Sequence, residues 1–131
     1  MFPDMLNSVQ EVMVRDVVTV SLGDGLAEAA KLMERNRIGC VVVVEQGKVV
    51  GILTERDFLR WAVAEREVKD ARVGDAMTRS PVVCSPDTEI ADAYVLMRRR
   101  GVRHVPVVEK DGKLVGIVTI RDLITAGKLL L

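Results

Sequence analysis

Gly47-Lys-Val-Val-Gly-Ile-Leu-Thr-Glu-Arg-Asp57 returns 65 residues later as Gly112-Lys-Leu-Val-Gly-Ile-Val-Thr-Ile-Arg-Asp122. Working backwards from it, a shift of 64 residues overlays Met13 to Gln46 on Met77 to Lys110, and Asp111 is the extra residue that changes the offset. Close to half of the aligned positions are identical. Two copies at so long a period do not make a solenoid. They predict two similar units, each unable to bury its apolar face alone, packed on each other about a pseudo-twofold axis. The sequence divides at about residue 70, into a first repeat over 1–70 and a second over 71–131. The connection Glu65 to Arg72 is charged and lacks Gly and Pro, which predicts one compact body.

Each copy reads as strand, helix, strand, strand, helix. A β-branched stretch comes first, Val17 to Val20 or Val82 to Cys84. A helix then starts at a capping signal, Asp24 or Asp87-Thr88. Leu26, Ala29, Ala30, Leu32 and Met33 give it an apolar stripe, matched by Ile90, Ala93, Tyr94, Leu96 and Met97. The first helix ends near Asn36-Arg37 and the second at Gly101. Valine-rich runs follow, Cys40–Val44 with Val49–Leu53 and Val105–Val108 with Leu114–Val118, as expected of strands buried on both faces. Second helices begin at Thr54 and Thr119. The fold class is α/β, two β-α-β-β-α repeats packed through their sheets.

Composition narrows the function. The chain has 131 residues, with 19 Lys and Arg against 19 Asp and Glu, so a broad basic surface for nucleic acid is excluded. Aromatic residues are 3%, too few for a base-stacking platform. No apolar run is long enough for a membrane span, and the first residues lack the basic and apolar segments of a signal peptide. A cytoplasmic protein is expected. Cys40 and Cys84 stand outside any metal-ligand spacing and read as reduced, small apolar side chains.

No grouping resembles a catalytic constellation or a metal site, and no cofactor is expected. The repeated Gly-x-x-Thr-x-x-Asp, Gly51/Thr54/Asp57 and Gly116/Thr119/Asp122, carries the chemistry. Thr-x-x-Asp is a helix capping box. Capping does not explain the glycine late in an apolar strand, which predicts a close approach to the backbone. A carboxylate there can also accept two hydroxyl donors, as acids do from a ribose. The copies differ at the entry to the second strand of each, where Arg103-His104 aligns with Gly39-Cys40. A guanidinium suits phosphate. Arg98 to Arg100 read instead as a solvated helix end that complements the macrodipole.

Taken together, Asp75-Ala-Met-Thr78, the looser Glu11-Val-Met-Val14, the Ala-x-x-x-Met helices, Val105-Pro-Val-Val108 and the twice-repeated Gly-Ile-hydrophobic-Thr-x-x-Asp resemble a tandem pair of CBS domains, a Bateman module. The resemblance spans about Val9 to Thr125. It implies a non-catalytic regulatory module that binds an adenosine-containing ligand such as AMP, ADP or ATP between its repeats and assembles as a homodimer. A further effector protein would read the bound state.

Carried over by resemblance, the main cleft uses Thr119 and Asp122 for ribose and Arg103 and His104 for phosphate, with Met13, Val17, Val18 and Ile38 along the adenine. A second, weaker cleft uses Thr54 and Asp57, with Met77, Val82 and Val102 on the adenine side. Val42 in place of the strand proline, and the uncharged Gly39-Cys40, depart from the family pattern and weaken phosphate binding there. The rival expectation is a structural dimerisation or docking module in which Thr-x-x-Asp only caps helices.

Overall fold

The computed structural model describes residues 8–127. Residues Leu129 to Leu131 lie outside them. The chain forms two compact units, one contiguous, Val18–Pro81, and one split, joining residues up to Val17 to those from Val82 onward. The packed units have therefore exchanged lead-in segments relative to the two repeats of the sequence.

In the contiguous unit, strand β1 (Thr19–Val20) is followed by helix α1 (Leu26–Asn36) and strands β2 (Cys40–Glu45) and β3 (Lys48–Thr54). Helix α2 (Glu55–Val63), the short helix α3 (Val73–Ala76) and strand β4 (Thr78–Arg79) complete it. The sheet order is β1-β2-β3-β4, with β1 parallel to β2 and the other pairs antiparallel. Val41, Val42 and Val43 are wholly buried, as their unbroken run predicts. Helix α1 buries Leu26, Ala29 and Met33, one face of the 3.6-residue period. These side chains, with Leu53, Trp61, Val73 and Met77, form one core.

The split unit repeats the plan with shorter edges. A single 3-10 turn, Val9–Glu11, leads to helix α4 (Ile90–Arg100), strands β5 (His104–Val108) and β6 (Leu114–Thr119), and helix α5 (Ile120–Gly127). Its core joins Val9, Met13, Cys84, Ile90, Ala93, Met97, Val105, Val107, Val118 and Leu123. The flanking rows are reduced to bridges, Cys84 to Val107 and Val14 to Ile117. The strand expected over Val82 to Cys84 is thus only a bridge, and Pro106 supplies the reason. Val42 donates its amide to the Val18 carbonyl at 3.2 Å, whereas Pro106, its counterpart, has no N–H to give.

The C-terminal ends of the first helices follow the sequence signals closely. Helix α1 stops at Arg37 and α4 at Gly101, both left-handed at φ 55° and 65°. Both first helices start later than their capping signals suggest, with Gly25 and Glu89 at the N-caps. Asp24 is engaged elsewhere: its carboxylate accepts the Ser21 amide at 2.8 Å. The hairpin β2–β3 turns through Gln46 and Gly47, both at positive φ, which twists with the strands. Its counterpart uses the extra Asp111, ending on Gly112 at φ 90°.

Candidate ligand site

The two Thr-x-x-Asp motifs sit where a sheet strand runs directly into a helix. In the split unit, β6 ends at Thr119 and α5 begins at once. Asp122 accepts the Thr119 amide at 2.9 Å, and the Asp122 amide donates back to the Thr119 hydroxyl at 3.2 Å, a complete capping box. Register places His104 opposite Thr119. The Ile120 amide donates to the Arg103 carbonyl at 3.0 Å. Thr119, Asp122, Arg103 and His104, which the sequence singled out from separate stretches, are therefore brought together within one unit. Arg103 is exposed, while His104, Thr119 and Asp122 are half-buried.

The contiguous unit builds the same corner with different chemistry. Cys40 lies opposite Thr54, and the Glu55 amide donates to the Gly39 carbonyl at 3.1 Å. Where the split unit carries Arg103, His104 and Ile120, this unit carries Gly39, Cys40 and the acid Glu55. Burial, and secondarily the Glu55 charge, pushes the Cys40 thiol up to about 12. Cys84 is raised to about 11 by burial, partly offset by a hydrogen bond with Thr88. Both are buried and free of disulfides. Glu55 adds a negative charge at a corner that the sequence comparison marked only as lacking positive ones.

The carboxylates differ most. Asp57 is 4% exposed. Its Oδ2 accepts the Thr54 amide at 2.9 Å and the Thr54 hydroxyl at 3.3 Å. Its Oδ1 accepts Arg60 Nη1 at 3.0 Å and the Thr78 hydroxyl at 3.0 Å. Among the described residues, the Asp122 carboxylate accepts only the Thr119 amide, through Oδ2. Arg60 and Thr78 were missed by the sequence reading. The alignment does hold a signal for them, because their counterparts, Thr125 and Val14, are not equivalent donors.

The motif glycines receive a direct explanation. A Cβ on Gly116 would lie 2.5 Å from the Met13 sulfur and 3.1 Å from the Val14 carbonyl oxygen. One on Gly51 would lie 2.5 Å from the Met77 sulfur and 3.0 Å from the Thr78 carbonyl oxygen. The close approach expected at these glycines is therefore made by the lead-in segments. Met13 and Met77, expected along the adenine, are each 9% exposed and belong to their units' cores.

Val17 is half-buried in the split unit. Val18 and Ile38 pack against the core of the contiguous unit, and Val82 and Val102 against that of the split unit. Arg98 to Arg100 are exposed in the last turn of α4, as expected, with Arg98 donating to the Tyr94 hydroxyl at 2.9 Å. The contiguous unit also carries an open depression of about 530 Å³ lined in part by Met33, Arg37, Ile38, Glu55 and Phe58. No cluster of His, Cys, Asp or Glu among the described residues could hold a metal ion. No helix among them is long and apolar enough to cross a membrane.

The twofold occurrence of this corner is matched by a family model: the CBS domain fits residues 9–64 and again 73–128. The chain belongs to the CBS domain family. Its tandem pair is 40% identical over 93% of its length to an uncharacterised 17.7 kDa protein of Acidianus ambivalens, of which it spans 74%. It is 37% identical to an inosine-5'-monophosphate dehydrogenase of Methanocaldococcus jannaschii, spanning 94% of this chain but only 24% of that enzyme. Among solved structures, the CBS-domain containing protein ATU1752 of Agrobacterium tumefaciens superposes with a TM-score of 0.87 at 34% identity, covering 96% of this chain and 97% of that one. The Pyrobaculum aerophilum CBS domain protein PAE2072, complexed with AMP, gives 0.83 at 29% identity, covering 90% and 91%. CBSX2 in complex with AMP gives 0.80 at 27%, covering 92% and 96%.

Proposed function

We propose that this CBS pair is a non-catalytic, cytoplasmic regulatory module that binds an adenine nucleotide of the AMP, ADP or ATP type. The observation that carries the reading is the Asp122 corner. There a half-buried carboxylate, held by one amide through Oδ2, stands beside Arg103 and His104. The AMP complexes of two similar CBS proteins support the same ligand class. Asp122, with Thr119 beside it, would take the ribose hydroxyls. Arg103 and His104 would take the phosphate, with Met13 and Val17 as apolar surface from the same unit. Thr54 and Asp57 would form a second, weaker ribose site beside Met77. Binding shifts the protein only so far as the ligand distinguishes two of its states.

Assembly as a homodimer belongs to this reading. Leu59 and Val63 on α2 stand 64% and 76% exposed, apolar surface that a second copy would cover. The rival structural role fits the Asp57 corner better, since its carboxylate is already engaged by protein donors.

Calorimetry with AMP tests the proposal. Asp122→Ala should weaken binding about ten- to a hundredfold, the worth of a charge-assisted contact. Asp122→Asn, which keeps an acceptor for the cap, separates lost ribose binding from lost folding. A wild-type protein that binds AMP no better than Asp122→Ala would overturn the reading.

A further inference from the structure

Residue 78 aligns with residue 14 in the sequence repeat, and the difference between them falls directly on the carboxylate. Thr78 pairs with Ile52 on β3 as Val14 pairs with Ile117 on β6, so the two side chains hold the same register beside their aspartates. Threonine and valine have nearly the same shape. One presents a hydroxyl, 3.0 Å from Asp57 Oδ1, where the other has only a methyl.

We propose that Thr78, assisted by Arg60, is a clasp on the Asp57 carboxylate, and that the Thr78/Val14 difference sets the order in which the two copies bind ribose. This rests on the nucleotide-binding reading above. A carboxylate has about four lone-pair sites. At Asp57 the four are taken by the Thr54 amide and hydroxyl, Arg60 and Thr78. A ribose diol arriving there exchanges existing hydrogen bonds for its own and gains only the difference. Arg60 is 63% exposed and can swing into water. Thr78 cannot leave so easily, because its backbone is paired into the sheet. At Asp122, Val14 and Thr125 replace the two clasp residues, and the diol meets a carboxylate whose Oδ1 has no protein donor among the described residues.

The clasp acts on ribose and is separate from the charge difference between Arg103-His104 and Gly39-Cys40, which acts on phosphate. Adenosine and AMP therefore serve as paired probes. In an Asp122→Asn background, which leaves the Asp57 copy as reporter, Thr78→Val should tighten both probes about three- to tenfold. Adding Arg60→Thr should tighten them further. In an Asp57→Asn background, Val14→Thr should weaken both probes at Asp122 by a similar factor. Val14 is 45% exposed and the exchange is isosteric, so melting temperatures should stay close to the parent's and report intact folding. If the wild-type protein binds AMP through Asp122 but Thr78→Val and Val14→Thr leave both affinities unchanged, the clasp is wrong and the binding reading stands. If the wild-type protein binds neither probe, both fall.

Discussion

Asp57 and Asp122 occupy the same place in the same motif, yet four donors reach the Asp57 carboxylate while, among the described residues, only the Thr119 amide reaches that of Asp122. Around Asp57, Thr54, Arg60 and Thr78 all donate to the carboxylate, and Glu55 adds negative charge at the corner. Around Asp122 the same positions hold Thr119, Thr125 and Val14, and Ile120 takes the place of Glu55. The capping amide is common to both, at 2.9 Å. A motif that must fold identically in each repeat can thus be specialised by neighbours that do not belong to it. Identity within the motif tells where a site can be; the residues touching it tell whether the site is available.

The comparison can be broken or sharpened by substitution. The largest effect should come from the shared part. Gly51→Ala and Gly116→Ala each force a methyl against a methionine and a backbone carbonyl, costing about 1–3 kcal/mol by overpacking. Thermal denaturation should show similar losses for both, because this packing is common to the repeats; a loss at one glycine alone would break the equivalence of the two lead-in segments. Next is the phosphate contact proposed for Arg103. Arg103→Ala should weaken AMP by about tenfold and leave adenosine nearly unchanged, since the lost hydrogen bond is charge-assisted. Equal losses for both ligands would move Arg103 away from phosphate. Smallest is Arg60→Ala: its guanidinium is largely in water, so stability should change by under about 1 kcal/mol. A larger loss in chemical denaturation would make the Arg60 arm structural.

The thiols add a pH test. Their raised folded pKa values, about 12 and 11, mean that the stability from burying neutral Cys40 and Cys84 is complete below the unfolded value near 9. It is lost as pH rises from there through the folded values. Native-state alkylation at pH 8 should accordingly be slow at both cysteines, and fast labelling would contradict their burial.

What was legible in the sequence was local. The repeat needed only the chain laid against itself, and the valine strands, the stops at Arg37 and Gly101 and both capping boxes depend on residues within a few positions of one another. Where local signals competed, the reading slipped: Asp24 serves the Ser21 turn, and Pro106 withholds the amide that a longer strand at Val82 to Cys84 would need. The exchange of lead-in segments was not legible, because Met13 meets Gly116 and Met77 meets Gly51 only through the tertiary fold. Nor was the hydrogen bond between Thr78 and Asp57, which joins residues 21 apart. The sequence reading put the inequality of the two corners in Arg103-His104 against Gly39-Cys40; the carboxylates' own partners add a second source of it.

The most direct test follows the Thr54 and Thr119 amides, each hydrogen-bonded to its motif aspartate, by NMR during a titration with AMP. Ligand at either carboxylate perturbs its own reporter. The account predicts that the Thr119 resonance moves first, at substoichiometric AMP, and that Thr54 moves only at higher concentration or not at all. If Thr54 moves first, or the two move together with the same midpoint, the two corners are not the unequal pair described.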